Sequence, residues 1–218
     1  EISEYFLSPY AVPDGQGNLA PCPPWAQAGV PSLTAIGFGH SEELALKVPS
    51  GTSGGRALWQ DFAARIDTYD RARNFPAVKG PSYLGVHLRF GTLSIRELAR
   101  DAYERMQAGS PGAATWLSEL IWRDFYQQLM AHFPHAMERS FKPAYDAIAW
   151  ETGAQADALW TAWQTGQTGY PLVDAAMEQL NQTGYMHNRL RMVVASFLAK
   201  DLGLDWRRGE AYFAQRLN

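Results

Sequence analysis

Apolar side chains recur at helical spacing along most of this 218-residue chain, and no stretch alternates apolar and polar residues as a β-strand would. The clearest helix begins at Pro171, a residue that suits a first helical turn. Gly184 separates it from a second helix. On that second helix, apolar residues fall on one side at about 100° per residue: Met186, Leu190, Val193, Val194 and Phe197. The sequence therefore predicts an all-α fold.

Further helices are predicted at 55–74, 94–106, 113–133, 155–164 and 206–217, with a short one near 40–47. Ser94 followed by Glu97 forms a capping box, which is typical of a helix start. Residues 1–54 are rich in Pro and Gly and predict an irregular lead-in or linker, ahead of a helical domain at 55–218. Gly51-Thr52-Ser53-Gly54-Gly55 fits the G-x-S-x-G pattern of serine hydrolases, but Pro49 argues against the strand that this motif needs. We interpret it as a flexible linker.

Composition narrows the class of protein. An apolar share of 46% supports a sizeable core, while a net charge of −3 means that any nucleic-acid surface must be a local patch. The single cysteine, Cys22, fits a reducing compartment and predicts no disulfide framework. No apolar run is long enough to span a membrane, and the only metal-like spacing is a weak H-x-x-H at 132–135 that no cysteine pair supports. We expect a soluble, cytoplasmic protein without a metal.

Two helix faces could bind a ligand. Asn188, Arg191, Ala195 and Ala199 share one face of the second helix, although from this helix alone an ordinary solvated face is the favoured explanation. On the long helix, Leu117, Ile121, Phe125 and Leu129 form an apolar stripe. A second face carries a carboxylate, a guanidinium and two flat rings, which suit a stacked and hydrogen-bonded ligand: Glu119, Trp122, Arg123 and Tyr126. The alternative is an i, i+4 salt bridge between Glu119 and Arg123, with Trp122 in the core.

Four phrases of the sequence carry a resemblance to a known family. They are T-G-Y-P-L-V-D-A-A-M at 168–177, G-Y-M-H-N-R-L-R-M at 184–192, A-S-F-L-A-K-D at 195–201 and D-W-R-R-G-E-A-Y-F at 205–213. This wording resembles the flavin-binding helical domain of the DNA photolyase/cryptochrome family, over about Trp59 to Phe213. The resemblance is greatest to class I enzymes for cyclobutane pyrimidine dimers. It implies FAD as the cofactor, dimer-containing DNA as the partner, and light-driven carbon–carbon bond cleavage as the activity of a monomer.

The resemblance also implies roles for individual residues. Cofactor contacts are expected at Tyr69, Pro81, Ser82, Tyr83, Leu84, Gly85, Trp116, Arg123 and Arg191. The catalytic lesion pocket is expected at Glu119, Trp122, Asn188 and Met192. Contacts to DNA are expected at Arg73, Glu119, Trp122, Tyr126, Asn188 and Arg189. Trp150 and Trp206 are expected to transfer electrons to the flavin.

The sequence also departs from the family pattern. The usual Thr-Ser-x-Leu-Ser is Pro81-Ser82-Tyr83-Leu84-Gly85 here, which removes two hydroxyl groups and one N–H. The expected Asp-x-Asp, the flavin-facing Asn and the final Trp-Gln-Trp do not follow, and no antenna-binding α/β domain precedes. We therefore expect a domain truncated at its C-terminus. A folate or deazaflavin antenna pigment would belong only to a full-length protein. Two alternatives stay open, a cryptochrome-like photoreceptor that acts through partner binding and an inactive, truncated helical scaffold.

Overall fold

The computed structural model describes residues 29–32, 34–37 and 48–217. Within these residues the chain is helical and contains no β-strand, which confirms the all-α prediction. The predicted helix near 40–47 and Cys22 lie outside the described residues. The helices are α1 Gly51–Ala63, α2 Tyr69–Ala72, α3 Gly85–Phe90, α4 Ile95–Gln107, α5 Pro111–His132, α6 Ala154–Thr165, α7 Pro171–Thr183, α8 Asn188–Ser196 and α9 Trp206–Arg216.

Short tight turns connect several of these helices. They are 3-10 turns at Thr34–Ile36, Ile66–Thr68, Pro134–Met137 and Pro143–Ala147. A π-helical turn at Phe197–Asp201 continues α8. Helix starts follow the capping chemistry of the sequence: the Ser94 hydroxyl accepts the Glu97 N–H, and the Ser110 hydroxyl accepts the Ala113 N–H just after Pro111. Gly184 closes α7 in the left-handed conformation at φ 67°.

The region around α1 differs from the prediction in two ways. The predicted helix at 55–74 is wrong, because α1 ends at Ala63 and the chain continues through a 3-10 turn into α2. The flexible-linker interpretation of 51–55 is also wrong, since these residues form the first turn of α1. Close packing explains the glycines there. A Cβ on Gly54 would lie 2.5 Å from the Pro49 carbonyl carbon, and one on Gly55 would lie 2.8 Å from Leu93 Cγ.

Two apolar cores stabilise the fold, and each is nearly contiguous in sequence. The first core joins α1, α2, α4 and the first half of α5, with Phe62, Ile66 and Leu84 fully buried. The second joins α6 to α9 around Trp163, which is fully buried and donates its indole N–H to the Val194 carbonyl at 3.0 Å. Burying each large apolar side chain contributes about 1.5–3 kcal/mol. The helix pairs that pack most extensively lie within one half or the other.

The long helix α5 is only half covered. Leu117 and Leu120 are buried in the first core, whereas Ile121 and Phe125 are 56% and 48% exposed. The predicted apolar stripe is therefore a core stripe only at its N-terminal end. On α8 the predicted core face is correct except at Val193, which is 38% exposed. In the part of the chain that the structure describes, no helix is both long and apolar enough to cross a membrane.

Candidate functional site

Residues from three elements meet at a junction where α2 ends. Arg73 follows α2 and donates from Nη1 to Glu119 Oε1 on α5 at 2.6 Å. The next residue, Asn74, accepts from Arg189 on α8, whose Nε and Nη2 lie 3.1 and 2.6 Å from Asn74 Oδ1. Arg73 and Asn74 therefore hold Glu119, a predicted lesion contact, and Arg189, a predicted DNA contact, at neighbouring positions.

The ion pair between Arg73 and Glu119 is partly shielded from water, with the two side chains 21% and 33% exposed. The Arg73 guanidinium also lies over the Tyr69 ring, 5.2 Å from its centre. Burial lowers the Arg73 pKa, but the hydrogen bond to Glu119 and the charges of Tyr69 and Glu119 outweigh it, so that the pKa is raised overall. The alternative pairing of Glu119 with Arg123 is wrong, because Arg123 donates to the Leu88 carbonyl at 3.2 Å instead.

The pKa of His187 reflects the positive charges around this junction. Its side chain is 4% exposed, and its Nδ1 accepts the N–H of Arg189 at 3.2 Å, which caps α8. Burial lowers the pKa of His187, and the charges of Arg189, Arg191 and Arg73 lower it further against a hydrogen bond to the Arg73 backbone. Three guanidinium groups therefore lie near His187, although the net charge of the chain is negative.

A second group of predicted residues gathers around Tyr185. The ring of Tyr83 lies 5.3 Å from that of Tyr185. Burial raises the pKa of Tyr185 to about 12, with Tyr83 and Tyr69 also raising it and Arg191 lowering it. Tyr69, Tyr83 and Arg191, predicted separately as cofactor contacts, thus share one environment. Tyr185 itself was missed by the sequence analysis, and its only signal was its place inside the G-Y-M-H-N phrase.

Three of the predicted cofactor contacts are partly or fully buried in the protein. Trp116 is 3% exposed and lies 5.2 Å from both Trp59 and Phe62, inside the first core. Leu84 is fully buried, and its N–H donates to the Ser82 hydroxyl at 3.4 Å. Arg191 is partly buried, and its Nε donates to the Met186 carbonyl at 2.8 Å. These side chains are fixed by protein contacts.

The predicted lesion-pocket residues are open by contrast. Trp122 and Tyr126 are 51% and 56% exposed, and their rings stack at 5.9 Å with an interplanar angle of 29°. Asn188 and Met192 are exposed on α8. Trp122 is not a core residue, so the alternative that placed it there is wrong. Exposed flat rings of this kind provide stacking surface for a base.

Trp150 and Trp206, the predicted electron-transfer pair, line the same apolar cavity of about 560 Å³ beside Tyr126 and Met130. Trp206 also lines a second cavity of similar volume, which contains Arg191. The Trp206 ring therefore lies between an aromatic cavity and a predicted cofactor contact. Across the described residues, no three His, Cys, Asp or Glu side chains gather closely enough to hold a metal ion.

Comparison with known proteins identifies the class of this domain. Residues 116–218 match the family model described as the FAD binding domain of DNA photolyase. Residues 116–218 of this chain are therefore of the photolyase FAD-binding type, as the sequence motifs predicted.

Individual relatives agree with that class. The deoxyribodipyrimidine photo-lyase of Escherichia coli is 51% identical over 152 residues, covering 68% of this chain and 32% of the relative. The crystal structure of a class III photolyase from Agrobacterium tumefaciens superposes with a TM-score of 0.72 at 37% identity, covering 77% of this chain and 34% of that one. A cryptochrome from Synechocystis gives 0.71 at 33% identity, covering 83% and 38%. This chain spans between 25% and 45% of the curated relatives that it matches most strongly.

Proposed function

We propose that this chain is the FAD- and DNA-binding part of a deoxyribodipyrimidine photo-lyase, which repairs cyclobutane pyrimidine dimers under light. The observation that carries the proposal is the junction at Arg73 and Asn74, which holds Glu119 and Arg189 in fixed positions. A carboxylate can accept a hydrogen bond from the edge of a flipped base, and a cation can contact the neighbouring phosphate.

The residues around Tyr185 fit a flavin dinucleotide. The partly exposed rings of Tyr83 and Tyr185 offer flat apolar surface near the partly buried guanidinium of Arg191. When bound, reduced FAD supplies a light-excited electron donor to the dimer. This chain would hold it through Arg191 and the 81–85 segment, as the resemblance implies, and would place Trp122 and Tyr126 against the flipped bases.

The DNA-facing residues then have separable roles. Arg189 would contact the backbone and supply affinity that is independent of sequence. Trp122, stacked on Tyr126, would recognise the extruded bases. Trp150 and Trp206 would pass electrons towards the flavin along the aromatic cavity that they share. A monomer in the cytoplasm remains our prediction for its state and location.

The decisive experiment uses the 218-residue chain loaded with FAD and chemically reduced. An oligonucleotide with one thymine dimer is illuminated with near-ultraviolet light, and recovery of intact thymines is followed by chromatography. We expect recovery in the light and none in the dark. Trp122→Ala should retain flavin and lose repair. Retained flavin without repair or dimer preference would contradict the proposal.

A cryptochrome-like photoreceptor is the second candidate, favoured by the likeness to the Synechocystis cryptochrome. It predicts flavin photoreduction with light-dependent binding of a partner protein and no repair of dimers. Repair activity measured on the same preparation separates the two functions, because only a photo-lyase converts the dimer into intact thymines.

A further inference from the structure

Arg65 lies in the break between α1 and the following 3-10 turn, and its guanidinium reaches the loop that precedes the 81–85 segment. Nη1 donates to the carbonyl oxygens of Lys79 and Gly80 at 2.5 and 2.8 Å, and Nη2 donates to that of Pro81 at 2.8 Å. Nε and Nη2 also donate to Asp61 Oδ2 at 3.3 and 3.2 Å. A guanidinium has five N–H donors, so every one of them is used. Arg65 therefore has no donor left for a ligand.

These contacts fix the direction of the neighbouring amides. In a planar trans peptide, the carbonyl of one residue and the N–H of the next point in opposite directions. Because the Pro81 carbonyl points at Arg65, the Ser82 N–H points away from it. Within the described part of the chain, this N–H has no acceptor. Pro81 has no N–H, and the Leu84 N–H is taken by the Ser82 hydroxyl. Ser82 thus carries an oriented, unpaired donor in the 81–85 segment.

Three further contacts hold this segment and the two residues that precede it. Gly80 lies so close to the Ala72 carbonyl that an added Cβ would overlap it. Tyr83 has a φ of 58°, which a residue with a side chain rarely adopts, and its ring contacts Tyr185. Lys79 adds an ion pair with Asp61 at 2.8 Å. A segment fixed in a conformation that it does not itself prefer is characteristic of a ligand-binding loop.

We propose that Arg65 is a positioning residue for a diphosphate-bearing ligand: it fixes the Pro81–Ser82 peptide so that the Ser82 N–H is presented to a phosphate oxygen of FAD. The inference rests on the proposed function. The role of Arg65 is indirect, because its guanidinium already contacts Asp61 and three backbone carbonyls. It also explains how a segment that lacks two of the usual hydroxyl groups can still offer a backbone donor to an anion.

The test measures two dissociation constants for each variant, one for FAD and one for riboflavin, which shares the ring system and lacks the diphosphate. Arg65→Gln removes the contacts to the loop. Arg65→Lys keeps the positive charge near the Phe62 ring, where the Arg65 guanidinium lies 5.1 Å from the centre, but its three N–H donors cannot replace the five of the guanidinium. Arg105→Gln is the matched control, since Arg105 donates to the Ala63 carbonyl at 3.1 Å in the same half of the chain and does not contact the loop.

We expect both Arg65 variants to bind FAD about tenfold more weakly and riboflavin within twofold of the parent chain, while Arg105→Gln changes neither constant. Arg65→Lys keeps the test valid if Arg65→Gln fails to fold. Equal losses for FAD and riboflavin would show that Arg65 only supports the fold and would overturn the inference. Unchanged FAD binding would overturn it as well and would leave the proposed function intact. A parent chain that binds neither flavin would overturn the proposed function and the inference together.

Discussion

Glu119→Gln tests whether the ion pair at the junction has opposite effects on folding and on DNA binding. The substitution keeps the shape of the side chain and removes its charge, which leaves the Arg73 guanidinium without an anionic partner. An exposed ion pair contributes about 0.2–1 kcal/mol, whereas removing one partner of a fully buried pair costs about 3–5 kcal/mol. With side chains 21% and 33% exposed, this pair lies between the two cases. We expect a loss of about 1–2 kcal/mol.

That loss is measurable by thermal unfolding. A chain of this size changes its Tm by about 2–4 °C per kcal/mol, so Glu119→Gln should lower the Tm by about 2–8 °C. Combining it with Arg73→Gln should give a coupling energy of about 1–2 kcal/mol in a double-mutant cycle. The control is Asp157→Asn, which breaks the pair of Asp157 with Arg208. Asp157 is 69% exposed in that pair, and its loss should change the Tm little.

The affinity for undamaged DNA should increase, although the stability of the fold decreases. Without the carboxylate, the cations at Arg73 and Arg189 are less neutralised, so undamaged duplex DNA should bind a few times more tightly. If Arg73 then contacts one more phosphate, the slope of log affinity against log salt should steepen by about 0.9. Fluorescence anisotropy at several salt concentrations gives both values. Weaker binding to undamaged DNA, or a coupling energy near zero, would refute the idea that Glu119 competes with phosphate for Arg73.

Three further predictions use the same protein. Trp122→Ala should weaken binding to dimer-containing DNA by an amount typical of one stacked base, about 1–3 kcal/mol, and should barely change the Tm because half of the side chain is exposed; a large loss of Tm would mark it as a core residue. Gly112→Ala should destabilise the chain by about 3 kcal/mol, since a Cβ there would overlap the Ile66 carbonyl oxygen. Gly85→Ala, with open space around it, is the control and should be neutral or stabilising in urea unfolding. The lowered pKa of His187 means that the unfolded chain binds a proton more readily, so stability should be complete above pH 6.5 and fall as the pH drops below that value. His187→Asn, which keeps a capping acceptor, should flatten this dependence, and an unchanged pH profile would exclude His187 as its source.

The sequence predicted helices well where one periodic pattern coincided with one helix, and poorly where a pattern continued across a break. Ile66 and Tyr69 keep helical spacing after Phe62, which predicted a single helix through residue 74. The backbone instead leaves the helical conformation at Arg65, with φ −127° and ψ 6°. The contacts of Arg65 with the loop at 79–81 accompany this break. Such contacts are between residues far apart in sequence and have no periodic signature.

The ion-pair and hydrogen-bond partners at the candidate site were also beyond what the residue pattern could predict. Residue spacing left open a pair between Glu119 and Arg123, four positions apart, but Glu119 pairs with Arg73, which lies 46 positions away. Asn74 and Tyr185 had no independent signal, because an amide and a phenol are common on any surface. The family resemblance placed Tyr69, Tyr83 and Arg191 among the cofactor contacts, and the structure places them near one another. The individual roles of these residues stay predictions until the binding experiments are done.

The division of the core into two halves has a consequence for folding cooperativity. Contacts within each half are largely local in sequence, which favours two units that can open separately. The hydrogen bonds of Arg189 with Asn74 and the ring contact of Tyr83 with Tyr185 connect these two units. The candidate ligand contacts are divided between the same two units. A ligand bound there would add a free energy of RT ln(1 + [L]/Kd) to the association of the two units. Ligand-free protein should therefore unfold in two steps, and saturated protein in one.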